Sequence, residues 1–252
     1  MRPASSCLCP REAPLPVRTK IVLLMHEKEW RRQKCATGRL ACLNLAGSEI
    51  IPGLGFDDNP RVKQLMADPA KRCVLLYPGE NAVDLSVDPF PAKALGLEVD
   101  PARVLEVDPD QGRNQGPNQG PNQSLNQVLE RHLVVFIIDA TWSCSRAVLR
   151  ASPGLLDLPR LMFRPREKSR WIIKKQPADW CLSTIEAIHE LLLALESAGL
   201  DQYPDKERLL AVFAAMQAYQ LDRAAAGYNP RRKTKKAQKR LSAETGGPKQ
   251  HE

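Results

Sequence analysis

No run of the 252-residue sequence approaches the roughly 18 consecutive apolar residues that a membrane-spanning helix needs. The opening residues, MRPASSCLCPRE, also lack the apolar stretch of a secretory signal. A cytoplasmic protein with no membrane partner is therefore expected. Cysteine is present without a framework: Cys35, Cys42, Cys73, Cys144 and Cys181 stand at neither disulfide nor metal-ligand spacing, which reads as reduced thiols. Acidic residues are missing from residues 231–240, RRKTKKAQKR, whose seven bases leave only about +1 of the +8 net charge for the rest of the chain. Such a tail suits a polyanion, because each base set on a phosphate releases condensed counterions. A merely solvating tail would have the same composition.

What is present is hydrophobic content of 43%, enough at this length for one sizeable α/β core. Residues 19–25 (TKIVLLM) and 73–77 (CVLLY) read as buried strands, the second stopped by Pro78 and Gly79. Residues 133–138 (LVVFII) are apolar throughout, and a strand hydrophobic on both faces belongs in a parallel sheet covered by helices. Further strands are expected at 160–163 and 170–174. Helices are expected at 39–45, from Pro60 onward, at 143–150, and near 183–197 and 205–225. This alternation predicts an α/β fold with a mostly parallel sheet and helices on both faces. From 114 to 127 the repeats NQGP, NQGP and NQSL can fill no core, so about 108–127 is expected to be a disordered surface insertion. The layout is then a lead-in over 1–17, a catalytic domain over 18–228, and a basic, disordered tail over 229–252.

In open parallel sheets, ligands bind at the carboxyl ends of the strands. Three polar segments fall there: His26-Glu27-Lys28-Glu29, Tyr77-Pro78-Gly79-Glu80 and Asp139-Ala140-Thr141-Trp142. One such segment would only cap the next helix; three together point to a site. Ser183 and Glu186 have capping-box spacing. The same helix start would offer free N–H groups and positive potential to the carboxylate of an amino-acid ligand. Arg164, Arg166, Lys168, Arg170, Lys174 and Lys175, interrupted by Trp171, form a second basic stretch. Its role is phosphate contact or the guarding of a strand edge.

In order along the chain, CLCP, LLMHEKEWRRQKCATGRLACLNL, LLYPGE, IIDATW, LPRLMF and CLSTIEAIHELL resemble the DTW-domain family, the tRNA-uridine aminocarboxypropyltransferases. DATW alone is a weak signal; with the upstream H-x-x-E, the LLYP turn and LSTIEA it becomes specific. The resemblance implies a fold similar to the SPOUT class of RNA-modifying enzymes, with a trefoil knot in the C-terminal half that holds S-adenosylmethionine. No local rule predicts such a knot. It implies donor contacts at Leu76, Tyr77 and Pro78, in the stretch after Phe163, and at Ser183 and Thr184. Asp139 is the motif residue tied most closely to activity, and Thr141 and Trp142 complete the motif. The chain departs from the family in carrying Ala140 where relatives place glycine, while Ser145 meets a demand for a small residue. Relatives add a CxxC pair to the CxC as a four-thiolate zinc site; Cys7 and Cys9 alone cannot close one.

The implied reaction is attack by N3 of a uridine in tRNA on the γ-carbon of the methionine moiety, expelling methylthioadenosine. The sulfonium supplies the leaving group, so the protein contributes orientation and proton removal, with Asp139 as the candidate base. Trp142 is either a stacking face for an unstacked base or a core residue. His26 and Glu29 are candidates to hold the methionine end or the RNA, His26 reading equally well as a helix start; Arg164 and Arg170 are candidate RNA contacts. Two other readings use the same residues. A SPOUT-type RNA methyltransferase would share pocket and partner, and a non-catalytic RNA-binding protein would use the two basic segments but leave the strand-end residues unexplained. No obligate protein partner is implied.

Overall fold

The computed structural model describes residues 12–32, 36–87, 132–173, 178 and 180–226. Among these, strands β1 (Lys20–His26), β2 (Glu49–Gly53), β3 (Lys71–Leu76), β4 (Ala82–Asp84), β5 (His132–Asp139) and β6 (Arg160–Met162) form one sheet. Their order is β2-β1-β5-β3-β6-β4, and every pairing is parallel. The three most apolar strands lie together, which follows from the need to cover both of their faces. Helices are α1 (Glu27–Arg32), α2 (Thr37–Asn44), α3 (Pro60–Ala67), α4 (Trp142–Ala151), α5 (Thr184–Ser197) and α6 (Arg208–Ala225).

The pleat sends alternate side chains into two cores. Ile21, Leu23, Val74, Val135, Ile137 and Leu161 meet Leu40 and Ala41 of α2, Ile188 and Leu192 of α5, and Phe213 and Met216 of α6. Val22, Leu24, Leu75, Val134 and Phe136 meet Val62 and Leu65 of α3 and Val148 and Leu149 of α4. Each of these side chains larger than alanine contributes roughly 1.5–3 kcal/mol by leaving water, so both layers are held tightly to the sheet. The start of β1 is tied to the α5–α6 connection, where Asp201 accepts from the N–H groups of Arg18 and Thr19 at 2.8 and 2.9 Å.

Two strands were not expected from the sequence. β2 (EIIPG) carries a proline and lies at one edge; β4 has three residues and lies at the other. β6 is inserted between β3 and β4, so residues 77–81 must pass from one side of β6 to the other. Gly79 lies on that crossing against the Arg160 guanidinium, where a Cβ would oblige the arginine to shift. The strand expected at 170–174 is not formed over 170–173. The trefoil knot depends on the full chain path, including residues 88–131 outside the described ones. The insertion at about 108–127, the tail from 229, and Cys7 and Cys9 lie outside them as well.

Candidate functional site at the carboxyl edge of the sheet

β5 ends on Asp139, whose parity places it on the same face as Val135 and Ile137, toward α2 and α5. It is 8% exposed. The Thr184 hydroxyl, at the first position of α5, donates to its Oδ1 at 2.7 Å. On the other side stands Gly38, in the first turn of α2. The carboxylate thus lies at the amino ends of two helices, where unpaired N–H groups favour negative charge.

The neighbouring strand ends line up with it. The pairings Leu76↔Ile137 and Leu76↔Leu161 set the carboxyl ends of β5, β3 and β6 at one level. Leu76, Tyr77 and Pro78 therefore begin one strand away from Asp139, about 5 Å across the sheet. Leu76 packs on the α2/α5 side and Tyr77 on the α3/α4 side. Thr141 is exposed, its Oγ1 3.3 Å from Ser143 Oγ, and Trp142 opens α4.

The start of α5 is more engaged than a simple cap. Glu186, 4% exposed, accepts from Ser183 N–H at 2.8 Å and Ser183 Oγ at 2.6 Å, completing the capping box. It also accepts from Ser169 Oγ at 2.8 Å and Arg170 N–H at 2.6 Å. Gln217 of α6 accepts from Ile172 N–H at 2.6 Å and donates to the Arg170 carbonyl at 3.0 Å. Trp171 stands edge-on to Phe213, with ring centroids 5.4 Å apart. These contacts explain why 170–173 is not a strand: its backbone groups bond to side chains of α5 and α6. The segment after β6 is strapped across the helix start that holds Asp139.

Other expected residues lie further off. His26 falls by alternation on the face opposite Asp139, and its Nδ1 accepts from Lys28 N–H at 3.0 Å, capping α1. Glu29 is half-buried on α1. Arg164 pairs with Asp84 at 3.4 Å, Arg166 with Glu190 at 4.0 Å and Arg170 with Glu167 at 2.9 Å. Sequence reasoning missed Gly38, Gln217 and the pair Trp30–Arg39, whose guanidinium lies 3.9 Å from the ring centroid while Nη2 donates to the Trp30 carbonyl at 2.5 Å. None of these left a local signal: Gly38 stands just before the helix expected at 39–45 and falls inside α2 only in the structure.

A cleft of about 370 Å³ lined by Asp68, Lys71, Arg72, Asp157 and Pro159 lies at the amino ends of β3 and β6, the opposite edge from Asp139. Its geometry separates it from this site. Among the described residues no group of three or more His, Cys, Asp or Glu could hold a metal, and no helix is long and apolar enough to cross a membrane.

An all-parallel sheet covered by helices on both faces, with a buried carboxylate at its carboxyl edge, defines an open-sheet α/β protein, a class whose ligands bind at that edge. The DTW domain model matches residues 1–221, and the chain belongs to the DTW-domain family. It is 25% identical over 232 residues to a Drosophila melanogaster protein named tRNA-uridine aminocarboxypropyltransferase 2, covering 89% of this chain and 74% of the relative. Mouse and Macaca fascicularis proteins of the same name are 25% and 23% identical over 228 and 227 residues; each match covers 89% of this chain and 63% of the relative. No solved structure matches the chain.

Proposed function

We propose that this protein transfers the 3-amino-3-carboxypropyl group of S-adenosylmethionine to N3 of a uridine in tRNA. The reading is supported by the names of its relatives, and the observation that carries it is the buried, doubly flanked Asp139 carboxylate at the sheet edge. N3 forms a bond to the γ-carbon, the bond from that carbon to sulfur breaks, and methylthioadenosine leaves with the electron pair. The N3 proton passes toward Asp139 and then to water. Because the sulfonium is already a good leaving group, the protein's task is alignment and acceptance of that proton.

The donor lies, in this reading, against residues 76–78, the strapped segment after Phe163 and the start of α5, in a knotted sheet edge of the SPOUT kind. Ser183 Oγ and Thr184 Oγ1 already donate to Glu186 and Asp139. The donor's carboxylate would therefore meet backbone N–H groups of the first turn rather than those hydroxyl protons. Arg164 and Arg170 on the strap are the RNA contacts in this reading, Trp142 is its stacking candidate for the base, and the protein works in the cytoplasm.

The test is nucleoside mass spectrometry on tRNA incubated with the donor and the protein. Wild type adds the aminocarboxypropyl group, whereas Asp139→Asn folds, binds the donor and modifies the uridine only at a small residual rate. A methylated nucleoside would replace this reading by methyl transfer. Absence of donor binding by calorimetry would reduce the protein to an RNA-binding module.

A further inference from the structure

Gly38 is the second residue of α2, and its backbone has no need of glycine's conformational freedom, since no positive φ occurs there. What glycine supplies is space. A Cβ at this position would overlap Oδ2 of Asp139, lie 2.9 Å from its Cγ and 2.7 Å from Cδ1 of Leu23. Neither neighbour has room to retreat: Leu23 is fully buried in the sheet, and Asp139 closes the central strand with Oδ1 fixed by Thr184. The carboxylate therefore fills a notch that exists because residue 38 has no side chain.

We infer that Gly38 is a positioning residue for the transfer, setting the direction of the Asp139 carboxylate from one side while Thr184 sets it from the other. The inference rests on Asp139 serving the reaction. It predicts an effect opposite to helix propensity, since Gly→Ala inside an unobstructed helix stabilises, whereas here it displaces the carboxylate.

The experiment compares full-length wild type, Gly38→Ala, Asp139→Asn, the double variant and Gly38→Ala with Leu23→Val, each by kcat, donor KM and thermal melting. Leu23→Val deletes the methyl that a new Cβ would strike, leaving Asp139 as the obstacle. Gly38→Ala is expected to lower kcat by about 10- to 100-fold, the scale of a displacement near 1 Å, with donor KM changed less than about threefold. Adding Leu23→Val does not recover kcat, because Asp139 still meets the new Cβ. In the Asp139→Asn background, Gly38→Ala takes nothing further from the residual rate. Wild-type kcat in Gly38→Ala, its recovery on trimming Leu23, or losses that multiply in the double variant would each overturn the inference. Normal turnover by Asp139→Asn alone would instead remove Asp139 from the reaction, and the reason for Gly38 with it.

Discussion

A carboxylate at the end of a buried strand is costly unless its charge is met, and at Asp139 the Thr184 hydrogen bond and two helix amino ends help to meet it. Thr184 is therefore a residue whose hydroxyl counts for more than its shape. Thr184→Val keeps the volume and removes the donor, which for a buried charged partner costs about 1–3 kcal/mol. We expect Thr184→Val to lose transfer activity by roughly one to two orders of magnitude, on the scale of that loss, while Thr184→Ser retains most of it. Assays of nucleoside formation at saturating donor check both, and equal activity of the two variants would show that the hydroxyl is dispensable. Asp139 was readable in the sequence because it closes an unmistakable apolar strand. Gly38 was not, because its role is a distance between α2 and β5 that no local pattern encodes.

At the level of elements, side chains carry the joints. Oε2 of Glu186 accepts from Ser169 Oγ, Ser183 N–H and Ser183 Oγ, and Oε1 accepts from Arg170 N–H. Glu186→Gln places an NH2 group against one of these clusters of donors, so it should destabilise by about 1–3 kcal/mol. The urea midpoint should fall accordingly, and a midpoint unchanged from wild type would deny the strap its anchor. The sequence revealed the capping box but not this second duty. It also suggested a strand at 170–174; the backbone bonds of Arg170 and Ile172 are instead taken by Glu186 and Gln217. Long, doubly apolar strands such as β5 were legible because burial on both faces leaves few other readings. β2 and β4 were not, because short edge strands depend on their neighbours.

A second joint responds to pH. His189 of α5 is buried beside Tyr203, with Nδ1 3.1 Å from the phenol oxygen, and burial holds its pKa below the ordinary 6.5. The unfolded chain therefore takes up this proton first as pH falls. The His189 contribution is fully present above about pH 6.5 and is lost as pH drops from there toward the lower folded value, at no more than about 1.4 kcal/mol per pH unit. His189→Gln should flatten the stability profile in that window, as urea midpoints between pH 7 and 5 would register. A slope identical to wild type would exclude this histidine as its source.

For the molecule as a whole, the useful quantity is where unneutralised positive charge remains. Arg164, Arg166 and Arg170, which the sequence offered as a basic stretch, each have an acidic neighbour in Asp84, Glu190 and Glu167. Exposed pairs of this kind are weak, yet a phosphate approaching them must compete with a carboxylate. The seven bases of residues 231–240 have no acidic residue among them. If tRNA is the partner, that segment should dominate the salt dependence, at roughly 0.7–0.9 of slope in log K against log salt for each base on a phosphate. Deleting 231–240 should lower the slope by several such steps, whereas Arg164→Ala or Arg166→Ala should change it by less than about one. Binding isotherms across a salt series distinguish the two distributions. A slope that survives the deletion but collapses in the arginine variants would place the RNA on the strap, beside Asp139, and leave the C-terminal bases as a solvating segment.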